Sequence, residues 1–133
     1  MWDHSVDVLV VGSGNGGLTA ALCCYELGGY ESGTQDVLVI EKADQYGGTS
    51  SLSGGGIWIP CNHYAQAAGA DDSVAAAREY LRHTIPPIVP NAMLDIYLAE
   101  APRMLQFLHD KTHVRYESLA HYPDYYSDLP GAK

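Results

Sequence analysis

Gly12, Gly14 and Gly17 stand in the spacing G-x-G-x-x-G within Gly12-Ser13-Gly14-Asn15-Gly16-Gly17, and Glu41 follows 24 residues after the last of them. Each residue type suits one part of a dinucleotide. The first glycine permits a tight turn, the second lets the backbone approach a pyrophosphate, and the third lets a helix pack closely on a strand. Phosphate charge is met by free backbone N–H groups and the positive end of the helix dipole. Lysine and arginine are not required for this. The Glu41 carboxylate can accept hydrogen bonds from ribose hydroxyls and would repel a 2′-phosphate. Its spacing exceeds the usual ~20 residues, and the polar stretch Gly28–Asp36 accounts for the excess as a longer loop. A purely structural glycine turn would not need a β-rich run on either side and an acid at the end of the second.

A second small-residue cluster follows at once, Gly47-Gly48-Thr49-Ser50-Ser51-Leu52-Ser53-Gly54-Gly55-Gly56, closed by Ile57-Trp58-Ile59-Pro60. An NAD-binding domain has no use for such a loop directly after its ribose carboxylate. A flavin does, because its ribityl chain and ring extend beyond the helix end and need close backbone approach with hydroxyl donors. A flexible Gly/Ser linker would not close on a strongly apolar segment. FAD is the expected cofactor.

The elements that must position these residues are legible in the pattern. Val6–Val11 is a nearly continuous β-branched run and reads as a strand buried on both faces of a parallel sheet. Apolar residues Leu18, Ala21, Leu22 and Tyr25 give helical spacing over Gly16–Leu27, and Val37–Ile40 is a second buried-type strand. Strand, helix, strand is a βαβ unit, so the fold class is α/β. Beyond Pro60, Asp71 or Asp72 can cap a helix running through Leu81, with Val74, Ala77, Tyr80 and Leu81 on one face. Thr84–Pro90 is a stiff connector. Leu94, Tyr97, Leu98, Ala101, Leu105 and Leu108 mark a longer helix that Pro102 should kink or divide. Val114–Glu117 reads as a short strand, and the end of the chain is Tyr- and Pro-rich without period. One domain over 1–133 is expected, with 6–60 as βαβ unit and flavin loop and 61–133 as a helical continuation.

From Val6 to Pro60 the chain resembles the start of the flavoprotein family of fumarate reductases and 3-ketosteroid dehydrogenases. Gly-Gly-Thr-Ser at 47–50 and Ser-Gly-Gly-Gly-Ile-Trp-Ile-Pro at 53–60 are most similar to the ketosteroid branch, as is Pro123-Asp124-Tyr125-Tyr126. The resemblance implies a Rossmann-like FAD-binding fold with following helices and an incomplete parallel sheet. It implies that Gly12, Gly14, Asn15, Gly16, Glu41 and Lys42 surround the adenosine diphosphate, with Gly17 completing the fingerprint. Gly48, Thr49, Ser50, Ser53, Gly54, Gly55 and Gly56 would approach the flavin side, and Tyr125 would face the substrate over the flavin ring. The implied activity is dehydrogenation of a 3-ketosteroid, by proton abstraction beside a carbonyl-activated carbon and hydride transfer to the flavin. Family members are several times longer, so the resemblance implies that a C-terminal portion supplies the remaining tyrosines, substrate cap and later strands. Some members attach FAD through a histidine in the second loop. No histidine lies between Lys42 and Pro60, so non-covalent FAD is expected.

Composition narrows the rest. Seven Lys+Arg against sixteen Asp+Glu give a net charge of −9, with no basic cluster, which argues against nucleic-acid and anionic-membrane partners. Three cysteines without a Cys-x-x-Cys pair read as reduced thiols. The start lacks a basic signal region, and Val6–Val11 is too short for a membrane span. A cytoplasmic chain is expected. His109 and His113 share helical spacing without a third ligand, so no metal is expected. Two other functions remain open on the residues. One is a fumarate or enoate reductase, which would need arginines to clamp carboxylates; the other is an inert FAD-binding remnant.

Overall fold

The computed structural model describes residues 2–28 and 36–133. The loop reading for Gly28–Asp36 therefore lies largely outside the described residues. The chain forms two compact units, Met1–Ile57 and Trp58–Lys133.

The first unit is a β-α-β arrangement. Strand β1 (Val8–Val11) leads into helix α1 (Asn15–Gly28), and strand β2 (Val37–Ile40) pairs with β1 in parallel, from Val8 opposite Val37 to Val11 opposite Ile40. β1 starts two residues later than the β-branched run suggests. The N–H groups of Asp7 and Val8 both reach the Asp36 carbonyl, and the Asp7 carboxylate takes the Asp36 N–H, so the regular ladder begins only after this clasp. The strands are not buried on both faces. Val8 and Val10 are partly covered while Leu9 and Val11 are exposed, Val11 at 76%. The long apolar run thus lies in a two-stranded sheet with one face of β1 open. A 3₁₀ turn over Gly48–Leu52 follows β2; it begins after Gly47, whose φ of 106° favours glycine.

The second unit is helical. Helix α2 (His63–Ala67) was not signalled by periodicity, being only five residues; Asn62 caps it by accepting the N–H groups of Tyr64 and Ala65. Helix α3 (Val74–Thr84) is capped by Ser73, not by Asp71 or Asp72, because the Asp72 carboxylate accepts the Cys61 N–H instead. Helix α4 (Asn91–Lys111) runs unbroken through Pro102. An interior proline costs roughly 3 kcal/mol or more, but Leu94, Leu98, Ala101, Leu105 and Leu108 are buried along one stripe and packing carries the helix across it. Two clusters make the core: Ala77, Leu81, Leu94 and Leu98, and Ile59, Ala101 and Leu105. Val74, expected on the buried face of α3, is exposed. Val114–Glu117 is not a strand, since it has no ladder partner: the Tyr116 N–H goes to the Tyr64 hydroxyl and the Arg115 guanidinium to the carbonyls of Thr112 and Val114.

Candidate functional site

Ser13, between the first two glycines of the fingerprint, is buried, at 3% exposure. Its hydroxyl lies 2.6 Å from Glu41 Oε2, and its N–H donates to the same oxygen at 3.0 Å. The Gly47 N–H donates to the Ser13 hydroxyl at 2.8 Å, and the Ala43 N–H donates to Glu41 Oε1 at 3.1 Å. Because a carboxylate only accepts, the Ser13 hydroxyl proton must point to Glu41 and its lone pair to Gly47. These donors, the Ser13 hydroxyl first, hold the Glu41 carboxyl down at about 2, so it is ionised at any ordinary pH. Glu41 sits directly after β2 and the glycine turn directly after β1. The parallel register brings the two together, and the Gly12 N–H bonds the Ile40 carbonyl beside them.

The glycines divide by what surrounds them. A Cβ at Gly17 would lie 2.0 Å from the Gly12 carbonyl oxygen and 3.3 Å from the Val10 side chain, so only glycine lets α1 pass β1 this closely. Gly14 differs. A Cβ there would meet nothing closer than the Ser50 hydroxyl at 3.6 Å, so the fold itself does not demand glycine. Gly14 directly precedes α1, whose first-turn backbone N–H groups lack intrahelical acceptors. The Asn15 N–H is already met by the Ser50 hydroxyl at 3.1 Å, which ties the second loop to the helix start. Gly48 stands 3.7 Å, through its notional Cβ, from the Gly14 Cα.

The structure therefore brings Gly12, Gly14, Asn15, Gly17, Glu41, Gly48 and Ser50 together, with Gly16 in the same helical turn. Lys42 and Thr49 are exposed beside them. Ser53, Gly54, Gly55 and Gly56 form an exposed stretch in which the Ser53 hydroxyl accepts the Gly55 N–H. Tyr125 belongs to the second unit and its side chain is 91% exposed. Ser13 was missed at the level of sequence, where a serine between glycines looks like a spacer; only its burial marks it. Among the described residues no group of three or more His, Cys, Asp or Glu could hold a metal. His109 instead shares a 2.6 Å hydrogen bond between its Nδ1 and the Tyr64 hydroxyl. The Cys61 thiol is pushed up by burial and by Asp72, and the Cys23 thiol by burial and Cys24, so neither is an activated nucleophile. No described helix is long and apolar enough to cross a membrane.

Residues 7–126 match the FAD binding domain family. The chain belongs to this family. FAD is thus its cofactor, as the second glycine loop suggested. The chain is 38% identical over its whole length to 3-oxosteroid 1-dehydrogenase of Mycolicibacterium smegmatis, covering 22% of that protein. It is 41% identical over 95% of its length to 4-oxocyclohexanecarboxylate 2-dehydrogenase of Sinomonas cyclohexanicum, covering 21% of it. A crystal structure of 3-ketosteroid delta1-dehydrogenase from Sterolibacterium denitrificans, in complex with 1,4-androstadiene-3,17-dione, superposes with a TM-score of 0.84 at 42% identity. That match covers 96% of this chain and 21% of the other. The chain spans about a fifth of the length of these relatives.

The residues of this FAD-binding domain fit the adenosine diphosphate of the cofactor. The space at Gly14 is one a Cβ would fill, the helix start beside it offers amide donors, and Glu41 is ionised at the end of β2. A pyrophosphate at the helix start and a ribose at Glu41 are the groups this donor and acceptor set can satisfy.

Proposed function

We propose that this chain is the FAD-binding portion of a flavin-dependent dehydrogenase that introduces a double bond next to the carbonyl of a 3-ketosteroid. The observation that carries the reading is identity along nearly the whole chain to proteins named for this dehydrogenation. FAD, when bound, supplies the two-electron chemistry and takes the hydride. The β-α-β unit is read as the start of a Rossmann-like sheet that is extended by chain beyond these residues.

The chain's own residues then bind and orient. Gly12, Gly14, Asn15, Gly16 and Gly17 receive the pyrophosphate, and Glu41 the ribose, with Lys42 alongside. Gly48, Thr49, Ser50, Ser53, Gly54, Gly55 and Gly56 approach the ribityl and ring side, with FAD held non-covalently. Tyr125 presents its phenol to the substrate, where a desolvated hydroxyl can take part in the proton step. With 91% of its side chain exposed, Tyr125 needs polypeptide beyond residue 133 to close the site around it.

A carboxylate-clamping reductase has less support. Arg78 pairs with Asp95 and Arg103 with Glu100, and Arg115 is spent on backbone carbonyls, so three of the four arginines are engaged within the helical unit. The test is FAD content and dehydrogenation of a 3-ketosteroid with an artificial electron acceptor, on this chain and on one extended downstream. The extended chain is expected to turn over, and the 133-residue chain to hold FAD weakly and not to turn over. Reduction of an enoate by the extended chain without steroid dehydrogenation overturns the reading.

A further inference from the structure

We propose that Ser13 is a positioning residue for the adenosine end of FAD, one buried hydroxyl that orients the Glu41 carboxylate and fixes the start of the second glycine loop at Gly47. The inference rests on the assignment of Glu41 to the ribose.

The hydrogen-bonding roles at Ser13 are forced. Ser13 has a single hydroxyl proton, and both Ser13 groups that can donate converge on Glu41 Oε2. The Gly47 amide can only donate, and it takes the hydroxyl lone pair at 2.8 Å in a fully buried position. The result is a directed chain, Gly47 N–H to Ser13 hydroxyl to Glu41. Oε2 is filled from the side of the phosphate turn, so the carboxylate cannot rotate without breaking two hydrogen bonds. Oε1 takes the Ala43 N–H from the β2 end, and a carboxylate oxygen can accept a second hydrogen bond. One oxygen is the anchor and the other is left for a ligand hydroxyl.

The same chain sets the distance between the loops. Gly47 precedes the 3₁₀ turn that carries Ser50, and Ser50 in turn accepts the Asn15 N–H at the start of α1. Ser13 and Ser50 are therefore two pins between the phosphate turn and the second loop, on either side of Gly14. The charged groups nearest Glu41 in the chain, Lys42 and Asp44, are exposed, so the buried hydroxyl is what restrains the carboxylate. A glycine-loop residue with no ligand contact of its own would thus decide how well the loop pair accepts the cofactor.

The test is S13A and E41Q, singly and together, in the 133-residue chain, with ADP as the probe ligand. Carbon NMR of the Glu41 carboxyl should show a midpoint near pH 2 in the wild type and one shifted toward 4.5 in S13A. Amide hydrogen exchange at Gly47 should quicken by about tenfold, with the protection of Leu22 in α1 of the same unit unchanged as the folding control. ADP affinity should fall by about tenfold in S13A, and S13A/E41Q should bind no worse than E41Q alone. A Glu41 titration unchanged by S13A, or losses in ADP affinity that simply add, overturns the proposal. If saturating ADP shifts the wild-type signals of Gly14–Gly17 and leaves those of Glu41 unmoved, the ribose assignment fails instead, and the positioning role fails with it even where the Glu41 titration responds to S13A.

Discussion

Trp58 Nε1 donates to the Asp124 carboxylate at 2.7 Å, across 66 residues of sequence. The bond joins the two late motifs of the chain, the Trp that closes the second glycine loop and the Asp before Tyr125. Asp124 also exchanges hydrogen bonds with the backbone of Lys133, and the Tyr126 N–H donates to the Tyr80 hydroxyl. Both neighbours of Tyr125 are thus tied down while its phenol projects into solvent. Gly131 completes the attachment: a Cβ there would lie 2.2 Å from the Ala76 carbonyl of α3.

W58F keeps an aromatic ring beside Tyr80 and removes the N–H. Amide exchange at Tyr126 and Lys133 is expected to rise about fivefold to tenfold. D124A should do at least as much, and the double variant no more than D124A, since both remove the Trp58–Asp124 bond and D124A also removes the acceptor of the Lys133 N–H. Additive effects in hydrogen-exchange NMR would show that the bond does not couple the two segments.

E41R is expected to weaken FAD binding at least tenfold, and K42A much less, because Glu41 is held in a hydrogen-bonded site while Lys42 is exposed. Fluorescence titration decides between them. The pH dependence follows from the carboxyl, which drops from its ordinary 4.5 to about 2 on folding. Its contribution to stability is complete above about pH 4.5 and is lost as pH falls toward 2. FAD affinity should accordingly not fade between pH 7 and 5 through Glu41; a loss there would mean the carboxyl is not held as described.

Gly14 and Gly17 should separate binding from folding. A Cβ at Gly14 comes no closer than 3.6 Å to its neighbours, and G14V is expected to abolish FAD binding with the helical circular dichroism nearly unchanged. G17A puts a methyl 2.0 Å from a carbonyl oxygen, and overpacking of this kind costs about 1–3 kcal/mol. A lower melting temperature for G17A than for G14V is the expected order.

L105A removes the most buried core side chain, at 2% exposure, from the cluster with Ile59 and Ala101. A loss of about 2–5 kcal/mol is expected in chemical unfolding.

The fingerprint glycines, Glu41, the second loop and the β-α-β order were legible in the sequence because each depends on local chemistry. A β-branched run, a glycine spacing and an acid at a strand end carry their meaning within a few residues. So did the buried stripe of α4, whose period survives Pro102. What depended on partners distant in sequence was not legible. Val114–Glu117 has strand residues but no strand to pair with, Asp72 was drawn from capping by the Cys61 N–H, and Val6–Val11 reads as buried although burial is set by what covers a sheet. Ser13 is the sharpest case. Its role comes from a parallel register that sets residue 13 beside residue 41, and from the Gly47 amide that buries it. A hydroxyl's two hydrogen-bonding directions acquire meaning only when the fold fills both.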